Sequence, residues 1–260
     1  LSLFGEMLHF DISESIPVMT TRKIYFKGIL KELLWFVSGS TDTAILSSDG
    51  VHIWDGNTTR EFLDSRGLHH LMEGDGGPIY GHQWRHFGAP YIDCETDYTG
   101  KGVDQLREVI RLLIEEPTSR RIILNAWNPN QNDEMALPPC HVMYQFKVTD
   151  GKLSCLLSQR SSDYFLASNF NVVSASILTY MLAHVTGLKP DKLVFSMGDV
   201  HIYSSHVQQA LKQIERINYM YPSPKLEILR DVTDIDDFKY EDFKLVGYVH
   251  HPSIKAEMVA

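Results

Sequence analysis

From Tyr164 to Leu188 the chain carries no aspartate, glutamate, lysine or arginine. A run of that length without charge either crosses a bilayer or is buried on all sides within a large core. Ser168, Asn169, Asn171, Ser174, Ser176, Thr179 and His184 interrupt it, and that many hydrogen-bonding side chains make a poor lipid-facing surface. The span therefore predicts a buried core helix over about 170–186, entered through a polar loop and stopped at Gly187 with Pro190 beyond.

A chain of 260 residues is long enough to bury such a helix without disulfides. No repeat, low-complexity tract or Pro/Gly/Ser-rich linker divides it, so a single domain over 1–260 is the simplest organisation. The formal net charge of −9 opposes non-specific binding to DNA or an anionic membrane, whereas a small phosphorylated ligand needs only a few local arginines. Three cysteines, odd in number, predict no disulfide framework and a reducing, intracellular setting. The chain begins at Leu1, and no basic stretch followed by an apolar one reads as a signal peptide.

Periodicity places the other elements. Ile29, Leu30, Leu33, Leu34 and Val37 predict a helix over about 24–37, capped by Thr20 or Thr21 and ended by Ser38-Gly39. Val103, Leu106, Val109, Ile110, Leu113 and Ile114 predict a second, closing at Pro117. The period then changes: 122–127, 142–148 and 153–158 read as strands of one sheet, with Thr149-Asp-Gly151 as a hairpin turn. A further helix over about 206–216 precedes a strand-like tail, and the whole reads as an α+β domain.

Among the cysteines, Cys94 lies between Asp93 and Glu95, and Cys155 lies in a strand-like run; neither pattern suggests a reactive thiol. Cys140 follows Pro138-Pro139 and precedes His141, a stiff approach beside a titratable ring, and is either a nucleophile or a buried structural thiol. Glu32 flanks an apolar helix face with no basic side chain at pairing distance along the helix, and is either a desolvated acid–base group or an ordinary surface glutamate. Arg120, Arg121 and Arg160 stand at strand edges, where guanidinium forks suit phosphate oxygens or surface salt bridges. His201 and Tyr203 can present polar tips to a ligand hydroxyl or serve packing alone. No glycine-rich phosphate loop, zinc-type Cys/His spacing or serine elbow is present.

Several segments together resemble thymidylate synthase. They are Lys31-Glu-Leu-Leu-Trp-Phe36, Tyr80-Gly-His-Gln-Trp-Arg-His-Phe-Gly-Ala89, Ser119-Arg-Arg-Ile122, Ala136-Leu-Pro-Pro-Cys-His141, Gln159-Arg-Ser161 with Asp163, Phe170-Asn171 and Gly198-Asp-Val-His-Ile-Tyr203. They run in the family's order over essentially the whole chain, and Pro-Cys-His with Gln-Arg-Ser is the most specific pair. The tail segments Asp236-Asp-Phe-Lys-Tyr-Glu-Asp-Phe243 and His251-Pro-Ser-Ile-Lys-Ala-Glu-Met258 resemble eukaryotic or large-virus members.

The resemblance implies a three-layer α/β (α+β) domain whose large mixed sheet forms a homodimer interface. It implies reductive methylation of dUMP to dTMP by 5,10-methylenetetrahydrofolate as cosubstrate, with no metal and no NAD(P). Cys140 would be the nucleophile at C6 of the pyrimidine, its pKa depressed with help from Arg160, with Tyr80 nearby. Glu32, His141 and Asn171 would manage proton transfers through water. Arg160 and Ser161 would hold the dUMP phosphate with Arg120 and Arg121 of a second subunit; Asn171 would read uracil, Gln159 would support the nucleotide site, and His201 and Tyr203 would bind the sugar. Asp163, placed beside the dUMP site, also resembles the folate side with Trp54, Asn57, Leu166 and Phe170, and Met258 to Ala260 would close over folate as a cap.

The pattern is not followed everywhere. The family has glycine, an apolar residue and proline just before Phe-Asn, whereas this chain has Ala167-Ser168-Asn169. The added methyl is expected to crowd the pterin side, and loss of proline to loosen the approach to Asn171. The Arg-Thr-Gly-rich phosphate loop that precedes Leu-Ser-Leu-Phe in the family is missing ahead of Leu1. A pyrimidine-nucleotide hydroxymethylase of the same fold and a catalytically silent dUMP-binding homologue are the alternatives. Cytoplasmic residence is expected, with nuclear or organellar residence open, as is a fused dihydrofolate reductase domain upstream.

Overall fold

A five-stranded sheet, a two-stranded ribbon and seven α-helices make up residues 1–259, the part that the computed structural model describes. In chain order these are β1 (Ser2–Asp11), α1 (Phe26–Val37), α2 (Thr43–Ser48), α3 (Arg60–Ser65), α4 (Tyr80–His86), α5 (Gln105–Glu115) and β2 (Ile123–Asn125). There follow β3 (His141–Thr149), β4 (Lys152–Asp163), α6 (Ser168–Thr186), β5 (Lys189–His201), α7 (Val207–Ile214), β6 (Lys225–Ile228) and β7 (Phe243–Val246). The main sheet has the order β1-β5-β4-β3-β2; β4 and β5 are parallel and joined through α6, and the other pairs are antiparallel, so the sheet is mixed.

The uncharged span is the middle layer. α6 packs on β4 and β5 with one side and on α1 with the other, and all but a few of its side chains are buried. Two of its buried hydroxyls are satisfied within the helix: Ser176 donates to the Val172 carbonyl and Thr179 to that of Ala175, each at 2.8 Å. Gly187 ends it in the left-handed conformation at φ 70°, where a residue without Cβ is not strained. No helix among the described residues is long and apolar enough to cross a membrane.

The sheet's helix-side face carries Tyr144, Phe146, Leu157 and Phe195, all 1% exposed or less. The opposite face is open. Ile123, Gln145, Leu156, Val194 and His9 form one cross-strand row, and Met143, Ser158, Ser196 and Met7 the next; all are half-buried or exposed.

The predicted hairpin turn is present, with Asp150 at φ 50° and Gly151 at φ 72° between β3 and β4. Neither Thr20 nor Thr21 caps α1: the helix starts after Tyr25 with no side-chain cap. Thr20 donates to the Tyr221 carbonyl at 3.0 Å, and Thr21 accepts from Gln213 at 3.1 Å, so tertiary bonds claim both hydroxyls. The helix-like run from Val103 begins at Gln105 because Asp104 accepts the Arg107 N–H at 3.0 Å. The last helix runs only from Val207 to Ile214, with a 3-10 turn at Ser204–His206 ahead of it. Two long strands escape the periodic reading. β1 is an edge strand with little buried surface, and β5 opens with Lys189-Pro190-Asp191-Lys192, whose charges and proline mask the alternation that follows.

Gly198 sits where β5 passes β4, and a Cβ there would lie 2.8 Å from the Arg160 carbonyl oxygen. Gly198→Ala should therefore push the two strands apart and cost about 1–3 kcal/mol. Urea denaturation checks this, and an unchanged midpoint would show that the strands give way freely.

Candidate active site

The site grows from the start of the β3–β4 hairpin. Pro138-Pro139 deliver Cys140 to the mouth of β3, where the register shifts between His141 and Met143; such bulges re-aim side chains. Three groups fix the turn: the Arg160 amide, the Arg160 guanidinium and the Tyr80 hydroxyl. The Arg160 amide donates to the Cys140 carbonyl at 3.0 Å. The Arg160 guanidinium donates from Nε to Pro139 O and from Nη2 to Pro138 O, both at 2.9 Å, which leaves Nη2 4.0 Å from Cys140 Sγ. From α4, the Tyr80 hydroxyl accepts the amides of Cys140 at 2.8 Å and His141 at 3.4 Å.

Burial pushes the Cys140 thiol above its ordinary value, and the Arg160 cation pulls against that. The depressed value that the resemblance implies is therefore not reached by this chain's geometry alone; in the described residues desolvation outweighs the one nearby cation. Cys94 and Cys155 are both pushed up to about 12, chiefly by burial, and Asp75 adds to the effect at Cys94.

Burial likewise decides the other titratable groups. Glu32 of α1 is 8% exposed, and burial pushes its carboxyl up to about 7 although Trp54 donates its indole N–H to Oε1 at 2.8 Å. This resolves the two readings of Glu32 toward the desolvated one, and the Trp54 partner, 22 residues away, has no sequence signal. His141 is pushed down to about 4 by burial, against a hydrogen bond with Asn171, so its ring is neutral near pH 7. Its Nδ1 lies 3.1 Å from the Tyr144 hydroxyl. Asn171, on the first turns of α6, donates to Gln159 Oε1 at 3.0 Å, and Gln159 donates to the Ser161 carbonyl at 2.8 Å.

A cavity of about 570 Å³ brings these groups together, a size that suits a small-molecule site. Glu32, Tyr80, Cys140, His141, Gln159, Ser161, Asp163, Asn171, His201 and Tyr203 line it, as do Trp54, Asn57, Leu166, Phe170 and Met258. Alternation along β4 explains part of this, since Gln159, Ser161 and Asp163 pair with Met197, Asp199 and His201 of β5. His201 Nδ1 is held 2.8 Å from Asp199 Oδ1. Arg160 faces a neighbouring hollow that Ser161, His201 and Tyr203 share. Arg120 and Arg121 are not brought to the cavity: both are exposed in the loop ahead of β2. Ala260 lies outside the described residues. Among the described residues no cluster of histidine, cysteine or carboxylates could hold a metal ion.

Sequence reading missed Arg22, which lines the cavity, is 7% exposed, lies over the Phe165 ring at 4.4 Å and donates to the Phe165 carbonyl. The altered loop departs from expectation at Asn169, while Ala167 lines the cavity. Asn169 does not loosen the approach to Asn171: its side chain accepts the Met19 amide and donates to Pro17 O, both at 3.0 Å, clamping residues 17–19 to the start of α6. Ala167 has φ −102°, which needs no glycine.

Two outcomes follow. Below pH 7 the folded Glu32 keeps a proton that the unfolded chain has released, so stability falls as pH rises from the ordinary glutamate range to about 7 and is flat above it; the shift amounts to about 3 kcal/mol. Glu32→Gln should flatten that slope and gain stability at about pH 8, measured by urea denaturation across pH; a slope identical to the parent's would mean another group carries it. Asn169→Ala should cost about 1–2 kcal/mol through the two lost bonds, and no change in the denaturation midpoint would show the clamp to be idle.

Comparison with known proteins bears on this arrangement. The thymidylate synthase family model matches residues 1–260. The human thymidylate synthase is 52% identical over 258 residues, covering 99% of this chain and 82% of the human protein. The Human herpesvirus 8 enzyme of that name is 51% identical over 99% of this chain and 76% of its own length. The bifunctional dihydrofolate reductase-thymidylate synthase of Paramecium tetraurelia is 51% identical over 99% of this chain, which spans only 55% of that protein. With a family match along its full length and about half its residues identical to such relatives, the chain belongs to the thymidylate synthase family.

Proposed function

We infer that the chain catalyses the reductive methylation of dUMP by 5,10-methylenetetrahydrofolate, giving dTMP and dihydrofolate. The observation that carries the reading is one cavity in which a cysteine, a glutamate whose carboxyl burial raises to about 7 and a neutral histidine meet an amide-lined end and an apolar end.

Cys140 Sγ adds to C6 of the pyrimidine, and the electron pair displaced onto C5 attacks the one-carbon unit. Arg160 Nη2, 4.0 Å from the sulfur, favours the thiolate. Glu32 exchanges protons through water with the base, and a carboxyl with a pKa near 7 is suited to both giving and taking one. C5 then loses its proton, the folate departs from the methylene carbon, and hydride from the folate completes the methyl group as the sulfur leaves C6. Asn171, oriented by Gln159, offers a donor to O4 and an acceptor to N3–H of uracil. His201 and Tyr203 take the sugar hydroxyl, and Ser161 and Arg160 the phosphate. Ile53, Trp54, Leu166 and Phe170 give the apolar walls that a pterin requires.

Arg120 and Arg121 do not line their own cavity, which supports their serving the phosphate of a second subunit. The open sheet face, with Ile123, Leu156, Val194 and Met7 in its rows, supplies apolar surface for such a homodimer.

Mass analysis of the nucleotide after incubation with dUMP and methylenetetrahydrofolate tests the activity. A gain of one methyl with release of dihydrofolate is expected; a hydroxymethyl product or unchanged dUMP would overturn it. Cys140→Ala should keep dUMP affinity and abolish product, and residual turnover would remove Cys140 from the nucleophile's place. Mixing Cys140→Ala with Arg121→Glu chains after subunit exchange should give about a quarter of parental activity, because one site in each mixed dimer is whole; no recovery would sink the shared site.

A further inference from the structure

His206 closes the 3-10 turn Ser204–His206 ahead of α7 and is 1% exposed. Its Nε2 donates to the Glu257 carbonyl at 2.7 Å. Nδ1 looks toward Asp163 Oδ2 at 3.9 Å and has no hydrogen-bond partner. The ring is flanked by Phe165 and Tyr203, each with its centroid 5.7 Å away.

The other end of that bond matters. Pro252 is still fastened, through its carbonyl, to Arg216 at 2.7 Å. Beyond Pro252, the Glu257 carbonyl makes the one hydrogen bond that the described residues show. Ala256, Met258 and Val259 nevertheless line the cavity. A tail with no regular structure and one polar tie takes its position from that tie, and the tie comes from a side chain that packing holds in a single orientation.

We propose that His206 is a positioning residue that holds the C-terminal tail at Glu257, so that Met258 and Val259 close the apolar end of the cavity over folate. The same ring packs against Tyr203 and faces Asp163, so the tail is registered against the nucleotide side of the site. The proposal rests on the reading of Met258 to Ala260 as a cap.

The experiment compares His206→Asn, His206→Phe and His206→Gln with a chain lacking residues 258–260. Asn is too short to reach Glu257, Phe keeps the ring without its donor, and Gln can place an N–H near the same carbonyl. In the Asn and Phe variants the KM for methylenetetrahydrofolate should rise about tenfold, the effect of one lost hydrogen bond of ordinary strength. Their kcat should fall, and the dUMP dissociation constant measured without folate should stay within about twofold. Carboxypeptidase should trim the tail faster from their complexes with dUMP and an unreactive folate analogue, and His206→Gln should recover much of the parental behaviour. A retained dUMP affinity shows that the variants are folded, and the Asn and Gln forms need the least space. Parental folate KM in the Asn and Phe variants would overturn the proposal, as would an undiminished effect of His206→Asn in the shortened chain. If the shortened chain itself keeps parental folate kinetics, the cap reading fails and the proposal falls with it; that result is separate from the first.

Discussion

The enclosure of α6 between the sheet and α1 is the constraint from which the rest of the structure follows. A helix with no charge over its length has to be enclosed, and here the sheet encloses it below and α1 above. Its first turns end at the polar loop where β4 stops, so Asn171 enters the cavity from within the core and not from a mobile surface loop. α1, as the cover, brings Glu32 inward with its apolar neighbours. The functional side chains are thus carried by the elements that make the core, which gives them the rigidity that a reaction with several proton movements needs.

Enclosure also sets the electrostatics. Burial moves Glu32, His141, Tyr80 and Cys140 all toward their uncharged forms. Arg160 spends two donors on proline carbonyls, and its guanidinium stands 4.0 Å from the thiol sulfur. A site so biased toward neutrality favours charge only where a cation or a reacting group supplies the counterpart, which restricts where a thiolate can form.

Legibility in the sequence varied with the physics involved. Local signals were reliable: the absence of charge marked α6, Gly187 its end, and Asp150-Gly151 the hairpin. The Cys140, Arg160 and Asn171 segments were visible as motifs, and the fold joins them in space. What depends on tertiary neighbours was not readable. Glu32 looked equally like a surface or a buried group because the indole that reaches it lies in a separate segment. Thr20 and Thr21 look like caps by composition, and only distant partners at Tyr221 and Gln213 show otherwise. The missing proline at Asn169 predicts a loosened approach, and only its two distant backbone partners show otherwise. β5 was hidden by its opening charges and proline although it supplies His201.

The parallel pairing of β4 with β5 carries a consequence for how this sequence can change over time. Gln159, Ser161 and Asp163 occupy alternate positions of one strand, opposite Met197, Asp199 and His201 of the next. Losing or gaining a single residue in either strand would turn this whole set of side chains to the other face at once. Single substitutions leave this register intact, whereas a change of length has to be absorbed by a bulge such as the shift between Leu153 and Cys155. The connections around the sheet therefore tolerate a change of length more readily than either strand does.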